Sequence, residues 1–199
     1  MERAPRVVIA DDEAIIRLDL KEILEEAGYD VVGETGRGDE AISLVAAHQP
    51  DLAILDIKMP GVDGITAARA ILAEQRTAVL LLTAFSQRDL IQDAREAGVA
   101  AYLVKPFRRA ELIPAIEGVL ARAQEDRVID ADLGADAPGA SEDKIETRRL
   151  VDQAKQVLMD RDGVSEEEAF ASIQQAAMQS RTRMRDIAAG IIDPPTSTH

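Results

Sequence analysis

The chain has no cysteine among its 199 residues, which excludes disulfides and thiolate metal sites. Its two histidines, His48 and His199, cannot build a zinc centre, so any metal must be held by oxygen. No stretch approaches the roughly 20 apolar residues of a membrane span, and residues 1–6 lack the apolar core of a signal peptide. The expectation is a cytoplasmic protein with no membrane partner. Basic residues are few: 23 Lys+Arg against 37 Asp+Glu leave a net charge of −14, which at face value argues against a nucleic-acid ligand. The deficit is uneven. Residues 1–123 carry 14 basic and 21 acidic side chains, residues 124–143 carry 1 and 7, and residues 144–199 carry 8 and 9. The last segment is thus nearly neutral inside an acidic chain.

The length suits one ordinary domain plus a smaller one. From residue 6 to about 123, short apolar runs alternate with stretches of helical spacing. The runs 7–10, 30–33, 52–55, 79–82 and 101–104 read as strands, mostly apolar throughout, as parallel strands covered on both faces should be. Residues 13–27 and 39–48 read as helices, the first stopped by Gly28. Five such βα units predict an α/β fold, a doubly wound five-stranded parallel sheet. Residues 124–143, acidic and broken by Gly134, Pro138 and Gly139, read as a linker. Residues 144–159, 165–179 and 182–191 then predict a small three-helix all-α domain over 144–192, with Gly163 closing its first helix and Ser165 with Glu168 forming a capping box on its second. Residues 193–199 read as a tail.

In a doubly wound sheet, ligands sit beyond the carboxyl ends of the strands. Asp11 and Asp12 stand at the end of the first strand, Asp56 at the end of the third, Thr83 at the end of the fourth and Lys105 at the end of the fifth. Three carboxylates brought together repel unless a cation neutralises them, and a hard ion such as Mg²⁺ suits oxygen ligands. Lys105 adds a positive charge able to pair with a phosphoryl oxygen, and the Thr83 hydroxyl can hydrogen-bond the same group. Taken singly, Asp12 also reads as a helix cap, Asp56 and Asp63 as turn residues around Pro60-Gly61, and Lys105 as a solvated charge. Their joint placement at one sheet edge favours a site.

The ordered segments ADDE, LDIKMPGVDG, LLTAF and YLVKPF resemble the receiver domain of two-component response regulators. That resemblance implies a flavodoxin-like receiver over residues 1–123. It makes Asp56 the phosphoacceptor, with Asp11, Asp12 and the Lys58 carbonyl joining it around Mg²⁺. Thr83 and Tyr102 become the switch pair and Lys105 the phosphate-sensing lysine. It also implies a sensor histidine kinase as phosphodonor, a cis Lys105-Pro106 peptide, and no enzymatic activity beyond slow autodephosphorylation.

Further on, Arg148-Arg149, Ala154-Lys155, Leu158-Met159, Glu168-Ala169-Phe170 and Arg183 to Ala188 occur in an order that resembles the ANTAR domain of antitermination regulators. The implied ligand is RNA, in the form of hairpins in nascent transcripts. Arg148, Arg149, Lys155, Arg161, Arg181, Arg183 and Arg185 are the candidate phosphate contacts. Two departures stand out: Gln156 replaces the usual glycine after Ala-Lys, and the broken 124–143 segment interrupts the coiled coil common in the family. The expected state is a monomer or a phosphorylation-dependent dimer. Phe170, the only aromatic side chain in the segment, belongs to the apolar pattern, so base stacking on aromatics is poorly supplied. Two other readings of the output compete with RNA: a DNA reader, for which the second helix offers only Gln174, Gln175 and Gln179, and a module that binds protein alone.

Overall fold

A computed structural model of the chain describes residues 3–74, 77–84, 99, 101–133 and 140–193. The chain divides into two compact units, Met1–Ala123 and Gln124–His199.

In the first unit the elements are β1 (Arg6–Ala10), α1 (Ala14–Glu26), β2 (Asp30–Thr35), α2 (Gly38–His48), β3 (Leu52–Asp56), α3 (Gly64–Glu74), β4 (Ala78–Thr83) and β5 (Ala101–Val104), followed by the start of α4 (Arg109–Leu133). The strands form one parallel sheet in the order β2-β1-β3-β4-β5. Alternation along β1 shows how it is covered. Val8 and Ala10 join Ala41 and Val45 of α2 and Ala67, Ala68 and Ile71 of α3 in one apolar cluster. Val7 and Ile9 join Leu20 and Leu24 of α1 and Leu112 and Ile116 of α4 in another. Successive side chains point to opposite faces, so a strand filled on both must be apolar throughout. Every residue of β3 and β4 is accordingly buried. β5 departs from this: it ends the sheet order, and Tyr102 and Val104 are exposed. Gly28 follows α1 at φ +90°, a left-handed conformation that favours glycine.

The second unit holds α5 (Ala140–Asp162), α6 (Glu166–Ser180) and α7 (Met184–Ile192). Its core gathers Val151, Ala154 and Leu158 of α5, Ala169, Ile173 and Ala177 of α6, and Met184 and Ala188 of α7. Ser165 and Glu168 form the expected capping box: the Ser165 amide donates to Glu168 Oε2 at 2.9 Å and the Glu168 amide to Ser165 Oγ at 3.3 Å.

Of the stretch 124–143 expected as a linker, the described residues 124–133 and 140–143 are helical. Helix α4 continues through 124–133, and α5 begins at Ala140, four residues ahead of the expected boundary. Ile129 of α4 is buried in the core of the second unit, with Val128 packed beside it. The acidity that suggested a solvated tether is engaged by that unit. Glu125 pairs with Lys155 at 2.8 Å and Asp126 with Arg148 at 2.8 Å, while Asp132 Oδ2 accepts the Met184 amide at 2.9 Å. Gly134, Pro138 and Gly139, on which the broken-helix reading rested, lie outside the described residues, as does most of the tail.

Candidate functional site

The sheet order makes β1 and β3 neighbours, so the residues leaving their carboxyl ends meet. Carboxylate oxygens of Asp11, Asp12 and Asp56 lie within 4.8 Å of one another, with Asp11 and Asp56 buried and Asp12 exposed. The Lys105 ammonium, arriving from beyond β5, sits 2.5 Å from Asp11 Oδ2 and 2.9 Å from Asp56 Oδ1. Its side chain is 10% exposed. Two carboxylates from different strands therefore share one ammonium, which limits the repulsion that three acids in so small a space would feel.

The remaining oxygens are held by backbone. Asp11 Oδ1 accepts the Glu13 amide at 3.0 Å, and Asp56 Oδ2 accepts the Lys58 amide at 3.1 Å. The Lys105 amide donates to the Thr83 carbonyl at 2.7 Å, tying the ends of β4 and β5 together, and the Lys105-Pro106 peptide is cis. A cavity of about 230 Å³ opens here, lined by Asp12, Asp56, Lys58, Thr83 and Lys105. Burial raises the Asp56 carboxyl above its ordinary value, and Asp11 adds to the rise, while Lys105 and the Lys58 amide pull against it. Burial lowers Lys105, but its hydrogen bonds to Asp11 and Asp56 more than offset this and hold the ammonium above its usual range. The donor set fits a hard divalent cation, with three carboxylates from two adjacent strand ends and no soft ligand among them.

Thr83 is buried, Tyr102 is 38% exposed, and they stand on neighbouring strands with Thr83 opposite Val104 and Tyr102 opposite Leu81. Asp12 is not a helix cap, since α1 starts after Glu13 with no side-chain cap. Asp63 does act locally: Oδ1 accepts the Thr66 amide at 2.9 Å at the start of α3. Sequence reasoning overlooked Gly64. A Cβ there would stand 2.0 Å from the carbonyl oxygen of Asp56, so α3 can start against the β3 terminus only without a side chain. The only cue was a glycine four residues after Pro60.

In the second unit the candidate basic residues divide. Arg149, Arg161, Arg181 and Arg183 are exposed, and Arg148 and Arg185 half-buried. Arg148 pairs with Asp126, Arg161 with Asp162 at 2.7 Å, and Arg185 approaches Glu146 at 4.0 Å. Lys155 is corrected from a phosphate contact to an internal strut. Its side chain is 3% exposed, with carboxylates of Glu125, Glu166 and Asp152 at 2.8, 2.9 and 3.2 Å and the Phe170 ring centroid at 5.9 Å. Burial lowers its ammonium, and the bonds to Glu125 and Glu166 reverse this and raise it overall.

Replacing Lys155 with alanine leaves those carboxylates facing one another. Glu166 is 62% exposed and can turn to water, so the loss falls short of the 3–5 kcal/mol of a fully buried broken pair, at about 2 kcal/mol. Urea unfolding of Lys155→Ala should show it, and Lys155→Met, which keeps the stem packed, should recover part. A wild-type midpoint in Lys155→Ala would contradict the strut.

The family description "Response regulator receiver domain" matches residues 7–117, and "ANTAR domain" matches residues 140–192. The chain belongs to the response regulators, with a receiver domain followed by an ANTAR domain; neither family is enzymatic. It is 47% identical over 188 residues to the transcriptional regulatory protein PdtaR of Mycobacterium tuberculosis (strain CDC 1551 / Oshkosh), an alignment covering 94% of this chain and 89% of that protein. It is 36% identical over 118 residues to the chemotaxis protein CheY of Bacillus subtilis (strain 168), covering 59% of this chain and 98% of that protein. Among solved structures, the receiver domain of the response regulator NarL from Mycobacterium tuberculosis superposes with a TM-score of 0.57 at 35% identity, covering 62% of this chain and 98% of that one. No helix among the described residues is long and apolar enough to cross a membrane.

Proposed function

We propose that this chain accepts a phosphoryl group on Asp56 from a sensor histidine kinase and, through its second unit, binds RNA hairpins in nascent transcripts to oppose termination. The observation that carries the first half is the cluster of Asp11, Asp12 and Asp56 around Lys105 at the wall of a cavity. An Asp56 carboxylate oxygen attacks the phosphorus of a phosphohistidine; a P–O bond forms, the P–N bond breaks and imidazole leaves. Asp11, Asp12, Asp56 and the Lys58 carbonyl would hold Mg²⁺, which offsets the charge of the transferring group. The Lys58 amide orients Asp56. Lys105 stands ready to pair with a phosphoryl oxygen, and the buried Thr83 hydroxyl borders the same cavity. Phosphorylation then biases Thr83 and Tyr102 between two arrangements.

Support for RNA as the ligand is the ANTAR match together with arginines exposed in the nearly neutral stretch 144–199 of an acidic chain. Replacing Arg183 and Arg185 together by alanine should weaken hairpin binding and flatten its salt dependence by about 0.7 per lost phosphate contact in the log–log slope. Binding measured with and without acetyl phosphate, at two salt concentrations, tests both halves. A wild type that carries phosphate on Asp56 yet binds no hairpin in either state would replace the RNA reading with a protein-binding one.

A further inference from the structure

Asp11 is the residue at which the chain leaves β1, one position past Ala10, and it is wholly buried. Its amide, its carbonyl and both carboxylate oxygens must therefore find partners within the protein. The amide donates to the Thr35 carbonyl, at the end of β2, at 3.1 Å. Oδ1 accepts the Glu13 amide at 3.0 Å, and Oδ2 stands against the Lys105 ammonium. The main-chain carbonyl is met by a side chain instead: Arg17 Nη1 donates to it at 2.7 Å.

That bond is placed by α1. Arg17 is the fourth residue of the helix, and its own amide donates to the Glu13 carbonyl at 3.1 Å. A cation near a helix start opposes the helix dipole, which favours acidic side chains there, and the first turn of α1 holds no acidic residue and no side-chain cap. The helix by itself thus gives no reason for an arginine at this position; the Asp11 carbonyl does. Room for the guanidinium is kept from the other side by Gly36, just past β2. A Cβ there would lie 3.4 Å from Arg17 Nη1 and 3.6 Å from both the Asp11 carbonyl oxygen and the Asp12 Cα. The half-buried Arg17 therefore ends against the backbone of Asp11 and Asp12, between the start of α1 and the end of β2.

A peptide unit is planar and rigid, so holding the Asp11 carbonyl oxygen holds the whole peptide that joins Asp11 to Asp12. The two aspartates depend on this differently. The Asp11 carboxylate is fixed by its own partners, the Glu13 amide and Lys105. The Asp12 side chain is exposed and takes its place from the backbone that carries it. We infer that Arg17 is a positioning residue for the cation site: through the 11–12 peptide it keeps the Asp12 carboxylate within reach of Asp11 and Asp56, whose oxygens all lie within 4.8 Å of one another. The inference rests on the reading of those three carboxylates as Mg²⁺ ligands and adds a residue from outside the ligand set. Groups that orient a metal ligand from behind are worth about 10- to 100-fold in metal affinity. Arg17 acts through the main chain, so its loss belongs at the lower end, about tenfold. Charge alone predicts the opposite sign, because taking a cation away from the 11–12 peptide should tighten the binding of another.

The test measures Mn²⁺ binding to the full chain by electron paramagnetic resonance, with Mg²⁺ as competitor, for the wild type, Arg17→Met, Arg17→Gln, Arg17→Lys, Asp12→Asn and Arg69→Ala. Methionine keeps the apolar stem and removes both donor and charge, whereas lysine keeps a charged donor. Arg17→Met should bind both ions about tenfold more weakly. Arg17→Lys should fall between it and the wild type, and Arg69→Ala, exposed on α3, should match the wild type. With acetyl phosphate as donor, the Mg²⁺ concentration giving half the maximal rate should rise about tenfold in Arg17→Met, while the rate at saturating Mg²⁺ stays within about twofold. A merely structural role would lower the saturating rate as well. Arg17→Gln, a polar side chain suited to a half-exposed helix position, carries the same expectations should urea unfolding show that Arg17→Met does not fold. Neutral variants that bind the ions as tightly as the wild type or more tightly, while Asp12→Asn has lost affinity, overturn the role of Arg17 and leave the metal reading standing. A reduced saturating rate with Mg²⁺ affinity unchanged overturns it as well. A wild type that binds neither ion, or Asp12→Asn that binds them as the wild type does, defeats the metal reading and the inference with it.

Discussion

Asp56→Asn is expected to abolish phosphoryl uptake while leaving the fold intact. The asparagine amide keeps an oxygen able to accept the Lys58 amide, which lies 3.1 Å from Asp56 Oδ2, but it has lost the anionic oxygen that would attack phosphorus. Neighbouring carboxylates cannot substitute. Asp11 is wholly buried, its Oδ1 held by the Glu13 amide and its Oδ2 against Lys105, and it does not line the cavity, whereas Asp56 does. Asp12 lines the cavity too, so Asp12→Asn is the informative companion: it should retain Asp56 as acceptor and lose Mg²⁺ affinity. The folding balance of Asp56→Asn is mild, because burial already disfavours the charged carboxylate and Lys105 keeps its bond to Asp11. Intact-mass spectrometry after incubation with acetyl phosphate and Mg²⁺ should show an adduct of one phosphoryl group on the wild type and none on Asp56→Asn. An adduct of equal yield on the variant would remove Asp56 from its role, and lost helicity in the variant would contradict the folding half.

The acidic site was legible because polarity changes abruptly at four of the five strand ends: Ala10 to Asp11, Leu55 to Asp56, Leu82 to Thr83 and Val104 to Lys105. In a parallel sheet all those ends lie on one edge, so a one-dimensional pattern becomes a three-dimensional cluster without any knowledge of packing. The helix stops were legible for a related reason. Gly28 and Gly163 take positive φ, and Ser165 with Glu168 closes a box within three residues; both are local devices. What escaped was non-local. Lys155 looks like any surface lysine until a glutamate 30 positions earlier, Glu125, arrives at 2.8 Å. The run 124–133 has the composition of a tether, and only its pairing with Lys155, Arg148 and the start of α7 converts those charges from solvated to structural.

Gly64 carries the second large effect, and there local propensity and tertiary packing oppose each other. It is the first residue of α3, where alanine would be the better helix former by up to about 1 kcal/mol. By that reasoning alone Gly64→Ala should stabilise. The added Cβ, however, would lie 2.0 Å from the Asp56 carbonyl oxygen, 2.8 Å from its carbon and 2.9 Å from the Ile57 Cα. All three atoms are backbone, and the Gly64 amide donates to the Ile57 carbonyl at 2.9 Å, so neither side can turn away as a side chain would. Either α3 or the end of β3 must shift, at a net cost of about 2 to 3 kcal/mol. Gly118 in α4 is the control: a Cβ there meets nothing within 4 Å, so Gly118→Ala should show the propensity gain by itself, about 0.5 to 1 kcal/mol. Urea unfolding should therefore move the two midpoints in opposite directions. Because two of the three crowded atoms belong to Asp56, the proposed phosphoacceptor, Gly64→Ala should also slow phosphoryl uptake from acetyl phosphate, measured where the variant remains folded, whereas Gly118→Ala should not. Parallel shifts of the two midpoints, or a Gly64→Ala variant as stable and as quickly phosphorylated as the wild type, would show that the contact between α3 and Asp56 can relax and does not set the geometry of the site.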